Sequence, residues 1–319
     1  MIEVRNLQKA YGKHLAIRDL SFIIEQGGVY GFLGPNGAGK STTLNILTGC
    51  LAPTSGEIII NGYDMIKQPK KAKQSIGYLP EIPPLYTGMT PREFLMFVAE
   101  AKGIVRTQRK SQVDIAMERT QIVNVRNRQI MQLSKGYRQR VGIAQTILGS
   151  PPIVILDEPT VGLDPRQITE VRDLIVKLGK ESTVLLSSHI LPEIRSICKH
   201  ILILSKGELV ASDTPEKLEQ QYEGGHEVRL LARAPKEKAM DTLQRLDGVQ
   251  ISEMDQQENG LLRVCVRAGY DISELIFYAF SEIRCPIVEM QRSRVNLETI
   301  FLQLTSDADR EDADGGEKV

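Results

Sequence analysis

The sequence predicts an α/β fold, with helices on both faces of a parallel sheet, joined to a smaller α+β domain. Three observations lead to this prediction. Apolar strand segments alternate with helical segments over the first 220 residues, a glycine-rich loop separates one strand from the next helix, and the composition changes at QQYEGGH, residues 220–226. We therefore predict domains at 1–222 and 226–305, followed by an acidic tail at 306–319 that we expect to be disordered.

The elements of the first domain follow from local patterns. Short strands are expected on either side of the turn at Gly12, and the strand at 29–33 runs through the glycine loop into a helix. A strand is predicted at 57–62, and a helical stretch at 90–125 opens with Thr90 and Glu93 in a capping-box pattern. Beyond it we predict strand 153–159, helix 166–180, strand TVLLSS, helix 190–198 and strand HILILS.

The second domain has the predicted element order β-α-β-β-α-β, which is typical of a ferredoxin-like fold. A last helix is expected from Asn296, with its apolar face formed by Leu297, Ile300, Phe301 and Leu304.

The bulk composition limits the classes of function. The chain has 319 residues, of which 41% are hydrophobic and 25% charged, as in ordinary globular proteins. Its net charge is zero, so no overall field favours nucleic acid, and no nucleic-acid partner is predicted. The four cysteines form no CxxC pair, which favours reduced thiols in the cytosol. No apolar run approaches the ~20 residues that span a bilayer, so we expect at most a peripheral subunit.

The segment GPNGAGKS fits the phosphate-loop pattern GxxxxGK[ST] between a predicted strand and helix. Its glycines allow backbone N–H groups to converge on phosphate oxygens, and the helix dipole adds positive potential. We expect Lys40 to reach the β- and γ-phosphates of ATP, Ser41 to bind Mg²⁺ and Thr42 to contact the α-phosphate. The predicted nucleotide-binding residues here are Gly34, Asn36, Gly37, Ala38, Gly39, Lys40, Ser41 and Thr42.

Two acidic residues end the apolar strand IVIL, at the carboxyl end where parallel sheets bind ligands. Asp157 is predicted to hold Mg²⁺, directly or through water, because hard cations prefer carboxylate oxygens. Glu158 is predicted to activate the attacking water as a general base.

The segment LSKGYRQR opens another helix, with Ser134 as N-cap and Gly136 in the first turn. A glycine-bearing helix N-terminus is a second anion-binding site. One chain therefore carries two phosphate-binding helix starts.

With these motifs, residues 1–220 resemble the ABC ATPase family, whose signature segment reads LSGGQ. The match departs from that pattern at Lys135 and at Tyr137, where glutamine is commoner. The resemblance implies that Ser134 and Gly136 close over ATP held by the phosphate loop of a second subunit. That subunit would be either a second copy of this chain or a related ATPase.

The resemblance also implies roles for isolated residues. Tyr11 matches an aromatic residue that stacks on adenine, and His189 matches a switch histidine that contacts the γ-phosphate. The segment from Val161 to Asp164 matches a dimer-contact loop. Glu81 stands where a glutamine usually binds Mg²⁺, so it is a candidate metal ligand; the alternative is an acidic loop residue that points away from the metal.

Three motifs, GFLGPNGAGKST, IGYLPE and DEPTVGLDP, are similar to bacterial type-2 ABC exporter ATPases, which include daunorubicin-resistance, sodium-export and gliding-motility relatives. This similarity implies a separate transmembrane permease and a peripheral location on the cytoplasmic face of the membrane. Energy is expected to pass to the permease through the loop around Glu81 and the helix from Thr90. The alternatives are an ABC importer ATPase and a soluble, non-transport ABC ATPase, although the chain lacks the long coiled coil of repair ATPases and the tandem units of translation factors.

Overall fold

The computed structural model describes residues 1–221, 226–257, 260–294 and 301. It contains two compact units, of which the first covers Met1–Pro215 and the second begins at Glu216. The predicted domain boundary lies at residues outside the described part, so the division at 222–226 stays a prediction. The predicted acidic tail and the predicted last helix also lie outside it, apart from Phe301, which is helical. Within the described residues, no helix is long and apolar enough to cross a membrane.

The elements of the first unit come in the following order: β1 (Ile2–Tyr11), β2 (His14–Ile24), β3 (Gly28–Leu33), α1 (Lys40–Leu47), β4 (Ser55–Ile60), β5 (Tyr63–Asp64), α2 (Pro69–Gln74), β6 (Ile76–Leu79), α3 (Pro91–Ala101), α4 (Arg106–Arg119), α5 (Lys135–Ile147), β7 (Ile153–Leu156), α6 (Pro165–Gly179), β8 (Thr183–Ser188), α7 (Leu191–Ile197), β9 (His200–Ser205) and β10 (Glu208–Asp213). Helix α8 (Pro215–Gln221) follows them.

The predicted parallel sheet is confirmed. It has the strand order β10-β9-β3-β8-β7-β6, and every neighbouring pair is parallel except β9 with β10. Strand β7 is buried along its whole length, as an uninterrupted apolar run in a covered sheet requires. The carboxyl ends of β3, β7 and β8 therefore meet at one edge, which brings the loops after them together.

Three features of the sheets were not predicted. Strands β1, β2, β4 and β5 form a separate antiparallel sheet, because pairing between distant strands leaves no local signal. Strand β6 has only four residues and contains Gly77, a weak strand former. Strand β10 is a half-exposed edge strand without an apolar run.

The helices α3, α4 and α5 pack against one another. The predicted capping box at the start of α3 is confirmed: the Thr90 hydroxyl accepts from Glu93 N, and the Glu93 carboxylate accepts from Thr90 N. Lys102, the C-cap of α3, donates from its ammonium to three carbonyls at the end of α5, those of Gln145, Thr146 and Leu148.

The second unit has the predicted β-α-β-β-α-β order, formed by β11 (His226–Ala232), α9 (Lys236–Gln244), β12 (Gln250–Gln256), β13 (Leu262–Ala268), α10 (Ser273–Glu282) and β14 (Ile287–Arg294). Its sheet is antiparallel throughout, with the order β12-β13-β11-β14. Alternate strand residues such as Val228 and Val264 pack against Leu243 and Phe280 of the helices to form the core.

Candidate functional site

The loop between β3 and α1 has the backbone conformation that its glycines permit. Gly37 and Gly39 have φ values of 85° and 96°, which side-chain-bearing residues adopt rarely. A Cβ on Gly39 would lie 2.9 Å from the carbonyl oxygen of Ala16, and one on Gly34 would lie 2.5 Å from that of Leu204. The loop is thus closely packed at Gly34 and Gly39, and α1 begins at Lys40 directly after it.

The Lys40 side chain is buried at this helix start. Its ammonium donates to the carbonyl oxygens of Gly34 at 2.7 Å and Pro35 at 3.2 Å, and lies 3.8 Å from Glu158 Oε1. Burial lowers the pKa of Lys40 from its ordinary value, while the carboxylates of Glu158, Asp157 and Glu81 oppose that shift. The ammonium is therefore positioned where an additional negative charge would stabilise its charged form.

Asp157 is held in place by hydroxyl groups. Ser187 Oγ donates to Asp157 Oδ1 at 2.6 Å, and Ser41 Oγ donates to the same oxygen at 3.3 Å. The Ser187 hydroxyl also accepts from Glu158 N at 2.9 Å. Strand β8 therefore supplies a buried hydroxyl that orients both acidic residues after β7.

Glu158 stands in the left-handed backbone region, with φ 47°, which is uncommon for a residue with a side chain. Its two carboxylate oxygens lie 3.1 and 3.0 Å from Nδ1 of His189, in the loop after β8. The side chain of Glu158 is only 9% exposed, whereas that of His189 is 42% exposed. The pair thus places a shielded carboxylate beside an accessible imidazole.

Lys40, Glu158 and His189 line one cavity of about 530 Å³. The structure brings most of the predicted site residues to its wall, namely Tyr11, Asn36, Gly37, Gly39, Lys40, Ser41, Thr42, Glu81, Glu158 and His189. Gly34, Ala38 and Asp157 do not line the cavity. Ala38 and Asp157 are buried. Glu81 lines the same cavity as the phosphate loop, and its role as a metal ligand stays a prediction.

The cavity wall also contains residues that the sequence did not single out as nucleotide-binding. His14 and Ala16 come from the start of β2, and Val161 follows the two acidic residues. No motif marks the first two, because only the antiparallel pairing of β1 with β2 carries them to the loop. The polar pair Ser187-Ser188 after the apolar run VLL could have suggested a site role for Ser187.

Tyr11 is half exposed at the cavity, at the end of β1, and the Lys9 ammonium lies 5.2 Å from its ring centroid. An exposed aromatic face beside a phosphate loop can stack on a planar base.

Ser134 and Gly136 do not line this cavity. As predicted, Ser134 caps α5, where its hydroxyl accepts from Tyr137 N at 3.4 Å. The Tyr137 hydroxyl accepts from Asn124 Nδ2 at 2.8 Å, and a Cβ on Gly136 would lie 2.7 Å from the Gln167 side chain. The capped helix start that the sequence predicts is thus present, but Ser134 and Gly136 do not contribute to the cavity of their own chain.

Comparison with known proteins identifies the family. The model of the family described as ABC transporter matches residues 17–161. The linearmycin resistance ATP-binding protein LnrL of Bacillus subtilis is 30% identical over 312 residues, which are 96% of this chain and 98% of LnrL. The bacitracin transport ATP-binding protein BcrA of Bacillus licheniformis is 33% identical over 308 residues, 95% of this chain and 97% of BcrA.

A solved structure agrees with these matches. It is a dimeric ATP-binding cassette in a post-hydrolysis state with ADP and Pi bound, and it is 26% identical to this chain with a TM-score of 0.61. The match covers 67% of this chain and 98% of that one. The shared fold is therefore that of an ATP-hydrolysing domain.

Proposed function

This chain belongs to the ABC transporter family, as an ATP-binding subunit with ATPase activity, and from that premise we propose that it energises an exporter whose membrane-spanning part is a separate permease. The observation that carries the proposal is the match with LnrL and BcrA over nearly their whole lengths, which includes the second unit. Those proteins are named for antibiotic resistance and antibiotic transport. Outward movement of a toxic compound is the form of transport that produces resistance. The proposal includes a location at the cytoplasmic face of the membrane, where ATP is available.

The cavity supplies the groups that ATP binding requires. Lys40 would contact the β- and γ-phosphates, and the N–H groups of the loop and the α1 dipole would hold the remaining phosphate charge. Burial lowers the pKa of Lys40, and the negative charge of bound phosphate would oppose that shift by stabilising the charged ammonium. Tyr11, which lines the cavity, would stack on the adenine ring.

The donor set fits Mg²⁺. Ser41 Oγ and Asp157 Oδ1 lie 3.3 Å apart, Glu81 faces the same cavity, and all three supply the hard oxygen atoms that Mg²⁺ prefers. Bound with ATP, the ion would neutralise negative charge on the phosphate oxygens.

Hydrolysis would proceed through Glu158 and His189. The Glu158 carboxylate takes a proton from a water molecule whose oxygen attacks the γ-phosphorus, and the bond to the β-phosphate oxygen breaks to give ADP and phosphate. His189 turns Nδ1 towards Glu158, which leaves Nε2 for the γ-phosphate. Lys40 stabilises the charge that develops on the phosphate oxygens.

Two chains are needed to complete the site. Ser134 and Gly136 do not line the cavity of their own chain, although they form a helix start suited to phosphate. The similar solved cassette is dimeric. We therefore expect the signature segment of one chain to cover ATP held by its partner, in a homodimer or in a heterodimer with a related ATPase.

The loop between β6 and α3 is the proposed contact with the permease. Ile82 is 82% exposed and Tyr86 is 52% exposed, and the Tyr86 ring lies 5.3 Å from that of Phe97. Exposed apolar side chains on a proline-rich loop favour a docking role over solvation. Cross-links from cysteines at positions 85–89 to cytoplasmic loops of the permease would support it, and cross-links found only from the second unit would contradict it.

The catalytic assignment is tested with Glu158→Gln, which keeps the shape of the side chain but removes the base. ATP should still bind, and turnover should fall by about 10²-fold or more. Glu118→Gln, an exposed change on α4, is the matched control and should leave turnover unchanged. Lys40→Ala should instead weaken nucleotide binding. Normal turnover in Glu158→Gln would refute the assignment.

Assembly and transport direction need separate measurements. With ATP, Glu158→Gln should elute as a dimer in size-exclusion chromatography, and the dimer should disappear without nucleotide. In proteoliposomes that hold the permease with this subunit outside, an exporter accumulates its substrate in the lumen. Loss of substrate from the lumen would identify an importer and contradict the proposal.

A further inference from the structure

The loops after β7 and β8 are joined on both sides of the contact between Glu158 and His189. On the strand side, the Ser187 hydroxyl accepts from Glu158 N at 2.9 Å. On the far side, the Thr160 hydroxyl donates to Glu193 Oε2 at 2.6 Å. In chain order, the Glu158–His189 contact therefore falls between two buried hydrogen bonds, which we call joints. The second, the Thr160–Glu193 joint, has no role in the function proposed above.

The Thr160–Glu193 hydrogen bond is shielded from solvent, and neither side chain belongs to the cavity wall. Thr160 is 5% exposed and Glu193 is 6% exposed, and neither lines the cavity wall. A buried carboxylate requires hydrogen-bond donors, and a short bond from a hydroxyl to a carboxylate is stronger than a bond between neutral groups. Because neither side chain lines the wall that receives the phosphates, any effect on hydrolysis has to pass through neighbouring residues.

Short chain segments link the joint to the proposed catalytic pair. Thr160 comes two residues after Glu158, whose backbone is in the restricted left-handed region. Glu193 comes four residues after His189 and belongs to the first turn of α7. The intervening Ile190 donates from its N–H to Ser188 Oγ at 2.9 Å. Because these connecting segments are short and hydrogen-bonded, a displacement of Thr160 or Glu193 also moves the imidazole relative to the carboxylate.

We propose that Thr160 and Glu193 are positioning residues for ATP hydrolysis, whose hydrogen bond holds the His189 imidazole against the Glu158 carboxylate. The inference rests on the roles of Glu158 and His189 under the proposed function. It adds that their mutual distance depends on a bond outside the cavity. Misplacement of a catalytic group by about 1 Å lowers a rate by up to about 10²-fold, so loss of a single joint has a measurable effect.

The first test removes the hydroxyl in the full-length ATPase. Thr160→Val keeps the volume of the side chain and should lower kcat about tenfold while KM for ATP changes less than about twofold, because phosphate binding does not involve the joint. Thr160→Ser restores the donor and should return kcat to within about twofold of the parent. Thr169→Val is the matched control: its hydroxyl donates to the Pro165 carbonyl within α6, and kcat should not change.

Double variants show whether the residues act as one unit. Glu193→Ala should lower kcat as much as Thr160→Val, and the double variant should be no slower than either single variant. In a His189→Ala background, Thr160→Val should cause no further loss. If valine is not tolerated in the fold, Glu193→Gln takes its place: it keeps an acceptor oxygen for Thr160 and should retain kcat, in contrast to Glu193→Ala.

Several results would overturn the proposal. They are an unchanged kcat in Thr160→Val, even with a lower melting temperature; failure of Thr160→Ser to restore kcat; and effects of Thr160→Val and His189→Ala that multiply. Normal turnover in Glu158→Gln would instead refute the proposed function itself, so the two failures are distinguishable.

Discussion

Replacement of Ser187 by alanine tests how the carboxyl ends of β7 and β8 are held together. The side chain is fully buried, and its hydroxyl makes two hydrogen bonds, one to Asp157 Oδ1 at 2.6 Å and one from Glu158 N at 2.9 Å. Alanine removes both without filling the space. A buried polar group left without its partner costs ~1–3 kcal/mol. Glu158 N loses its acceptor, whereas Asp157 loses its shorter bond but keeps the longer one from Ser41. We therefore expect the free energy of unfolding to fall by ~3 kcal/mol.

The measurement is equilibrium urea denaturation followed by far-UV circular dichroism, because the chain contains no tryptophan. Ser188→Ala is the matched control. Ser188 is equally buried and adjacent, but its hydroxyl accepts one bond, from Ile190 N, so the loss should be ~1 kcal/mol. Turnover should fall in Ser187→Ala, since Asp157 and Glu158 each lose a hydrogen bond that orients them. Equal losses of stability in the two variants would refute the reasoning that the bridging hydroxyl joins the strand ends.

Three further predictions follow from other contacts. Glu81→Gln should keep most ATPase activity but make nucleotide binding less steeply dependent on Mg²⁺, because it removes a negative charge that repels the phosphates when Mg²⁺ is absent. Identical Mg²⁺ titrations of nucleotide binding in the two forms would show that Glu81 is not a metal ligand. Lys102→Met should lower the free energy of unfolding by ~2 kcal/mol, because three carbonyls at the end of α5 lose their donor, and an unchanged urea midpoint would contradict this. Gly77→Ala should cost ~3 kcal/mol or more, because its Cβ would lie 2.1 Å from the Thr146 carbonyl oxygen, whereas Gly88→Ala, with no atom within 4 Å, should be tolerated in the same assay.

Local chemistry made much of this site predictable from the sequence. The phosphate loop is contiguous, and its shape depends on glycine conformation and on the helix that follows, so Gly37, Gly39 and Lys40 could be assigned from spacing alone. An apolar strand that is followed by two acids likewise indicates that these acids lie at the carboxyl end of a strand, where parallel sheets bind ligands. The caps at Ser134 and Thr90 depend on residues within three positions, which a linear pattern contains. The β-α-β-β-α-β order of the second unit followed from period and length in the same way.

Tertiary structure alone decided which of these segments meet. Thr160 and Glu193 are 33 residues apart, and Ser187 is 30 residues from Asp157, so no local pattern relates them. Their contacts exist because β7 and β8 are parallel neighbours whose carboxyl ends coincide. The separate antiparallel sheet, which brings Ala16 against the phosphate loop, likewise depends on strand pairing. A sequence pattern specifies which face of a strand is apolar but not which strand lies beside it, because backbone hydrogen bonds between strands are the same for every pair of sequences.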